Sequence, residues 1–432
     1  MSTASELTPD HHAWRRKVFI ATWLSYVGFY FCRKPWSVSK SAVGQEAGFD
    51  ASTLGEIGAV YLVTYAIGQF LAGGMGTLLG PRVNVLIGMG LSVLVCVAFG
   101  VSLDPMMLMG LMAVNGLAQA TGWSGNVGSM AAWFHKHERG RVMGAWATNF
   151  TVGSLASTWV LSWVLGFGAW RATFYAGAAV LAAVWVQFYF LQRNRPEDVS
   201  LAPVDDPTEA TPTGDESAVA VDASAEPYLL GLSRRAWANL LLIAGFYFFA
   251  KLVRYAVWSW VPFFMERNYG LSGESAGYYS TAFDLMGIPG VWITGWLSDR
   301  YFNSRRGEVA LLMMLAMTAA CGALFLFGGT SVVVFAALLG AVGFTLYGPD
   351  ALLTGAGAMD VGNRKSATLA AGIISGFGSI GPIVQELVIG KLYDAKGGDL
   401  GPVFLMLFGS AALAAVFCAG LVWRNRRGGA GV

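Results

Sequence analysis

Long apolar stretches recur along almost the whole chain, and this feature limits the possible folds most strongly. A helix needs about 17–25 largely apolar residues to cross a bilayer, and twelve stretches of the sequence fit this length. Their centres lie near Phe29, Ile67, Leu91, Met112, Gly153, Val180, Phe249, Met286, Met317, Phe335, Ile374 and Leu413. We therefore expect an all-α membrane protein with twelve transmembrane helices.

The charge content supports this expectation. Charged residues make up 12% of the 432 residues, hydrophobic residues make up 55%, and the mean hydropathy is +0.54. A soluble domain carries about 25% charged residues, so this chain has too little charge to cover a surface that faces water. The net charge of +2 gives no indication of a nucleic-acid partner. The cysteines lie far apart in apolar stretches, and neither a disulfide framework nor a metal site is expected.

The distribution of basic residues predicts the orientation in the membrane. If both termini are cytoplasmic, nineteen of the 28 Lys and Arg residues fall on the cytoplasmic side, as the positive-inside rule requires. Residues 1–17 are polar and have no small-residue cleavage site before the first apolar stretch, so they indicate a cytoplasmic tail and not a signal peptide.

An acidic segment divides the chain into two parts with six spans each. Residues 196–233 hold nine acidic residues and no Lys or Arg, and they contain too little apolar surface to fold. The predicted divisions are a cytoplasmic tail (1–17), a six-helix bundle (18–192), a flexible cytoplasmic linker (193–235), a second six-helix bundle (236–423) and a second cytoplasmic tail (424–432).

Two arginines occupy corresponding positions inside the first and seventh spans. The segment "FYFCRKPWSVSKS" (29–41) contains Arg33, which follows the basic start of its span by 16 residues, and Arg254 follows the basic start of the seventh span by 19. At ~1.5 Å per residue both lie past the midpoint of the bilayer if the helices are continuous. One interpretation is that they snorkel to the interface. The other is a binding site between the two halves, where two guanidinium groups bind a phosphate dianion.

Five segments together carry a family signature. They are "RKPWSVSKS" (33–41), "AQATGWSGNVGSMAAWFHKHERGRVMGAW" (118–146), "FAKLVRYAVWSWVPFFM" (249–265), "STAFDLMGIPGVWITGWLSDR" (280–300) and "KSATLAAGIISGFGSIGP" (365–382). With these segments in this order, the chain resembles the organophosphate:phosphate antiporters of the major facilitator superfamily, which include sugar-phosphate exchangers and glycerol-3-phosphate transporters. The likeness covers all but the tails and the linker.

The resemblance implies the major facilitator fold and a secondary active transporter. Such a protein exchanges a phosphorylated metabolite for inorganic phosphate by alternating access. It also implies that Arg33 and Arg254 bind the phosphoryl group, because they match the two phosphate-binding arginines of the bacterial members. Phe150 and Gln69 replace a histidine and a lysine of the glycerol-3-phosphate transporter, so the sequence does not specify the organic part of the substrate.

Further candidates for substrate binding lie near the two arginines or in a glycine-rich span. They are Lys34, Tyr30, Tyr26, Lys251, Trp123 and Asn126. The alternative for the aromatic and amide side chains is helix packing, whereas Lys34 can snorkel and Lys251 can pair with an acid. The acids inside the spans are Asp284, Asp350 and Glu386. They either form ion pairs with the membrane cations or accept protons during coupling.

Two other functions fit the same helices. One is a membrane sensor of sugar phosphates, and the other is a proton-coupled organic-anion symporter. We expect no enzymatic activity and no cofactor, because no nucleotide loop or nucleophile–base arrangement stands out. The expected partners are phosphate and organophosphate anions and the lipid bilayer, and the expected state is a monomer in a bacterial inner membrane.

Overall fold

The structure, a computed structural model, describes residues 7–101, 103–204, 234–302, 305–353 and 367–427. No β-strand occurs in these ranges. Their α-helices are α1 (Pro9–Phe31), α2 (Lys34–Ala47), α3 (Ala51–Leu79), α4 (Pro81–Phe99), α5 (Pro105–Trp133), α6 (Lys136–Trp146), α7 (Thr148–Leu165), α8 (Trp170–Leu191), α9 (Arg234–Tyr269), α10 (Gly273–Ser280), α11 (Ala282–Tyr301), α12 (Arg306–Phe327), α13 (Val332–Ala351), α14 (Ala367–Ala395) and α15 (Gly401–Arg426).

Each of the twelve predicted span centres lies inside one of these helices, and the all-α prediction is confirmed. Within the described ranges, eight helices are long and apolar enough to cross a membrane: α3, α4, α8, α9 and α12 to α15. The other four predicted spans correspond to α1 with α2, to α5, to α6 with α7, and to α10 with α11. Three of these four are therefore divided into two helices.

Local sequence signals set several helix starts. Pro9 and Pro105 occupy the first turns of α1 and α5, where a missing N–H costs no helical hydrogen bond. The residue before each proline caps the helix. Asp104 accepts a hydrogen bond from the Met107 amide at 2.8 Å, and the Thr8 hydroxyl accepts one from the amide of His11 at 3.4 Å.

The first predicted span breaks at Cys32 and Arg33. The backbone amides of both residues donate to carbonyls three positions earlier, at 3.2 and 3.1 Å, which is the tighter 3₁₀ pattern that often ends a helix. Pro35 has no N–H to continue the α-helical ladder, and its ring disfavours helical backbone at the preceding residue. The first span is therefore not one continuous helix, and Arg33 lies at the junction of α1 and α2.

The described residues belong to two compact units. The first comprises Met1–Pro35, Val63–Leu161 and Arg171–Ser224, and the second comprises Trp36–Leu62, Ser162–Trp170 and Ala225–Val432. The predicted boundaries of the two bundles stay a prediction. The predicted linker and both predicted tails fall partly outside the described residues.

Each unit has its own helix packing. In the first unit, α5 packs against α1 and α4. In the second unit, α9 packs against α10, α14 and α15, and α12 packs against α13 and α15. The pair α11 and α13 is packed through small residues: a Cβ atom on Gly290 would collide with the carbonyl oxygen of Phe344, and one on Gly343 with the carbonyl oxygen of Phe283. These two glycines allow the two backbones to approach closely.

We expect Gly290→Ala and Gly343→Ala each to destabilise the protein by about 1–3 kcal/mol, because the new methyl group must displace a neighbouring backbone. The measurement is the thermal unfolding midpoint of purified protein in detergent. Gly295 in α11 is the matched control, since a Cβ atom there would meet open space. Gly295→Ala should leave the midpoint unchanged or raise it, and equal losses in all three variants would contradict this account of the packing.

Candidate functional site

Arg33 is held by an uncharged partner in the first unit. Its Nε and Nη2 atoms donate to Oε1 of Gln119 in α5 at 3.2 and 3.1 Å. Its guanidinium carbon also lies 4.8 Å from the ring centroid of Tyr30 and 5.2 Å from that of Tyr65. Arg33 is half-buried, whereas Gln119 is fully buried. The amide oxygen and the two ring faces orient the guanidinium group.

Gln119 also stabilises the broken backbone next to Arg33. Its Nε2 atom donates to the carbonyl oxygen of Phe29 at 3.0 Å. One turn earlier in α5, Nδ2 of Asn115 donates to the carbonyl oxygen of Cys32 at 3.0 Å. Buried carbonyl groups need such partners. The two amide side chains of α5 therefore supply hydrogen-bond donors to carbonyl groups at the break in the first span. One of them, Gln119, also accepts hydrogen bonds from Arg33.

An aromatic cluster lies beside Arg33 in the same unit. It consists of Tyr26, Tyr30, Trp123 and Trp146. The ring of Tyr26 lies 5.8 Å from Tyr30, 5.4 Å from Trp123 and 5.9 Å from Trp146 between centroids. Both tyrosines are buried, whereas Trp123 is 41% exposed. The structure thus brings three predicted site residues together near the arginine.

Two other predicted site residues near Arg33 or in α5, Asn126 and Lys34, are buried. Asn126 is fully buried, and its Nδ2 atom donates to Oγ of Ser25 at 2.8 Å, which is a contact between α5 and α1. Lys34 is also buried, with 4% exposure. Their contact with a substrate stays a prediction.

Arg254 in the second unit has a charged partner. Its Nη1 atom lies 2.6 Å from Oδ2 of Asp350 in α13, and the two side chains are 22% and 11% exposed. The guanidinium carbon lies 4.5 Å from the ring centroid of Tyr347. The hydroxyl of Tyr347 in turn donates to Asp284 in α11. This arrangement places two of the predicted acids, Asp350 and Asp284, at the ends of one chain of contacts that runs through Arg254 and Tyr347.

Lys251, one turn before Arg254, lies against aromatic rings. Its Nζ atom is 4.7 Å from the ring centroid of Tyr247 and 6.0 Å from that of Tyr255. Both are residues of α9 at helical spacing, so the helix itself supplies these ring contacts.

Glu386, the third predicted acid, binds a lysine that the sequence reasoning did not select. Nζ of Lys40 in α2 lies 3.1 Å from Oε2 of Glu386 in α14 and 2.8 Å from Oγ of Ser259 in α9. The Ser259 hydroxyl also donates to Glu386, and the Lys40 ammonium lies 3.9 Å from the ring centroid of Trp260. These four residues form one cluster of the second unit, and the charged side chains of its ion pair, Lys40 and Glu386, are 0% and 4% exposed.

Comparison with known proteins assigns the family. The sequence profile of the Major Facilitator Superfamily matches residues 18–385. The chain belongs to the Major Facilitator Superfamily. It is accordingly a multi-pass integral membrane protein, and the twelve-helix prediction agrees with this fold.

The relatives within this superfamily carry phosphate esters. The chain is 29% identical over 435 residues to the glycerol-3-phosphate transporter of Bacillus subtilis, covering 98% of this chain and 95% of that one. It is 28% identical over 478 residues to the glucose-6-phosphate exchanger SLC37A2 of Bos taurus, covering 95% and 94%. A solved bacterial homologue of the human lysosomal transporter Spinster, inward-facing and occupied, has a TM-score of 0.70 over 96% of this chain at 15% identity. The last similarity shows the fold alone.

From the sequence, the cations inside the spans of this chain could be identified more readily than their partners. Gln119 and Tyr65 lie far from Arg33 in sequence, and no local pattern connects them. Lys40 had a weak signal, because a third cation in the segment 29–41 requires a partner if it is buried. The acid at Glu386 was identified, but its partner was not.

We expect Lys40→Met and Glu386→Gln each to lower stability by about 3–5 kcal/mol, because each leaves one charge of a buried ion pair without its partner. The thermal unfolding midpoint in detergent measures this loss. The double variant Lys40→Met/Glu386→Leu removes both charges and should recover much of it. If both single variants unfold at the wild-type temperature, the pair does not form in the folded protein.

Proposed function

We propose that this protein exchanges a phosphorylated metabolite for inorganic phosphate by alternating access. The observation that carries the proposal is the pair of arginines at corresponding positions of the first and seventh spans. Each is only partly buried, with Arg254 22% exposed at its side chain. Two of the relatives are a glycerol-3-phosphate transporter and a glucose-6-phosphate exchanger, and they support the same substrate class.

The chemistry of the side chains favours phosphate over other anions. A guanidinium group stays charged at any physiological pH and offers a planar set of donors that matches two oxygens of a phosphoryl group. We propose that Arg33 and Arg254 both act on the phosphoryl group of one bound substrate. Tyr30 and Tyr26 with Trp123 then surround its organic part, and Lys34 and Lys251 add positive charge nearby. Asn126 supports this wall of the site through Ser25.

Asp350 has a specific part in this proposal. It holds Arg254 at 2.6 Å, so an arriving phosphate must share the guanidinium with a carboxylate or displace it. Loaded and empty carrier then differ in the contacts of Arg254. A ligand shifts a conformational equilibrium only through such a difference in interaction between states. Asp284 acts on the same network through Tyr347.

The transport test uses purified protein in liposomes loaded with inorganic phosphate. Wild-type protein should take up external labelled phosphate by counterflow, and external glycerol 3-phosphate or glucose 6-phosphate should compete. Arg33→Ala and Arg254→Ala should each weaken phosphate binding by about 2–5 kcal/mol and abolish counterflow, since each removes a charge from a partly desolvated site. Arg33→Lys keeps the charge but loses the planar donors, and it should restore only a small part of the rate.

The control is Arg300→Ala, which removes an exposed arginine at the end of α11. It should transport as the wild type does. Full counterflow by both Arg33→Ala and Arg254→Ala would overturn the assignment of the site. Phosphate-ester binding without counterflow would indicate a sensor, and uptake that requires a pH gradient and not internal phosphate would indicate a proton-coupled symporter.

We also propose that the protein is a monomer of a bacterial inner membrane with both termini in the cytoplasm. The orientation is supported by the basic residues, because the predicted topology places nineteen of the 28 on the cytoplasmic side. The similarity to a transporter of Bacillus subtilis supports a bacterial membrane. Labelling of a single cysteine introduced in the segment 428–432, in intact and in opened cells, tests the orientation.

A further inference from the structure

A cavity of about 750 Å³ lies in the first unit at the N-terminal end of α1 and the start of α6. We refer to it as the basic cavity. Its polar lining is His12, Arg15, Arg16, Glu138 and Arg141. Phe134, which lies between α5 and α6, and apolar side chains of α1 and α6 form the remaining walls. A cavity with both kinds of wall suits a ligand that has a charged group and an apolar part.

Arg15 forms the buried base of the basic cavity. Its side chain is only 8% exposed and pairs with Glu138. Its guanidinium carbon lies 4.4 Å from the ring centroid of Phe134. Glu138 also accepts a hydrogen bond from the backbone amide of His135 at 3.0 Å. Among the described residues, Nε of Arg15 meets no hydrogen-bond acceptor although it is buried. This N–H group is a buried donor beside the ion pair and remains available to an acceptor.

The rim of the basic cavity carries the remaining positive charge. Arg16 and Arg141 are both exposed, and within the described ranges neither forms an ion pair. Glu138 is already paired with Arg15, so the lining has an excess of positive charge. Two arginines at the mouth of a cavity attract anions and can bind two oxygens each.

The basic cavity is separate from the predicted substrate position. Arg15 and Arg33 are 18 residues apart in sequence, and α1 is continuous from Pro9 to Phe31. At about 1.5 Å per residue this separation is about 27 Å along the helix. A ligand in the basic cavity therefore cannot contact Arg33 at the same time unless it is as long as the bilayer core is thick.

We propose that the basic cavity is a second anion site, which binds the phosphate group of an acidic phospholipid or of a soluble phosphate ester. In this proposal Arg16 and Arg141 contact the phosphate oxygens. Arg15, which is held by Glu138 and Phe134, forms the base of the cavity below the phosphate group. Phe19 and Ile20 contact the apolar part. Basic pockets at the ends of transmembrane helices are suited to anionic headgroups, and the planar fork of arginine favours phosphate over a single point charge.

The test compares Arg16→Gln/Arg141→Gln with Arg300→Ala, which removes an exposed arginine elsewhere. In the lipid arm, native mass spectrometry measures retention of phosphatidylglycerol and of phosphatidylcholine on detergent-purified full-length protein. In the soluble arm, calorimetry measures glycerol 3-phosphate binding to the Arg33→Ala protein with and without the two cavity substitutions. Arg16 and Arg141 are both exposed, so the double variant should fold, and an unchanged thermal unfolding midpoint verifies this. If the double variant does not fold, the single variant Arg141→Gln replaces it.

We expect the cavity substitutions to lower the affinity for one of the two ligands about tenfold, because they remove two charge-assisted contacts. Arg300→Ala should leave both affinities unchanged. Loss confined to phosphatidylglycerol identifies a lipid site, and loss confined to glycerol 3-phosphate identifies a soluble-ester site. If neither ligand distinguishes the cavity variants from Arg300→Ala, the proposal is wrong. Phosphate counterflow depends on Arg33 and Arg254, so failure here and failure of the proposed exchange are separate results.

Discussion

The cost of placing a permanent cation inside a membrane span governs this structure. A charged side chain in the bilayer centre costs at least ~2.5 kcal/mol and needs a polar partner or a water-filled cavity. The chain meets this requirement in three different ways. Arg33 has the side-chain oxygen of a neutral amide and two ring faces. Arg254 has a carboxylate at 2.6 Å. Lys40 has both a carboxylate and a hydroxyl. Gln119, Asp350 and Glu386 lie on other helices than the cations that they contact, so each of these contacts also joins two segments of the fold.

The difference between the first two arginines matters for anion binding. Gln119, which orients Arg33, carries no charge, whereas Asp350, which contacts Arg254, is a carboxylate. An anion that approaches Arg254 therefore competes with a carboxylate for the guanidinium, and an anion that approaches Arg33 meets a neutral amide beside it. The two arginines are equivalent by position in the sequence, but the side chains that orient them differ in charge.

The sequence allowed the architecture and the cations to be predicted, because both depend on signals that a single chain carries. Apolar length located all twelve spans, and repetition of position identified Arg33 and Arg254. The positions of the breaks at Arg33 and before α7 and α11 were not predicted, because average hydropathy does not depend on the local backbone conformation. Pro35 indicates the first break, since proline cannot donate a helical hydrogen bond. Gln119 lies 86 residues from Arg33 and Glu386 lies 346 residues from Lys40. Such pairings depend on which residues of two packed helices lie opposite each other, and a single sequence does not show this.

The double contact of Gln119 has a mechanical consequence. One end of this amide binds the guanidinium of Arg33, and the other end binds the main chain where the first span changes from α1 to α2. A displacement of the guanidinium therefore alters a hydrogen bond at this backbone junction through a single side chain. The position of the arginine and the geometry of the junction are thereby linked at one glutamine.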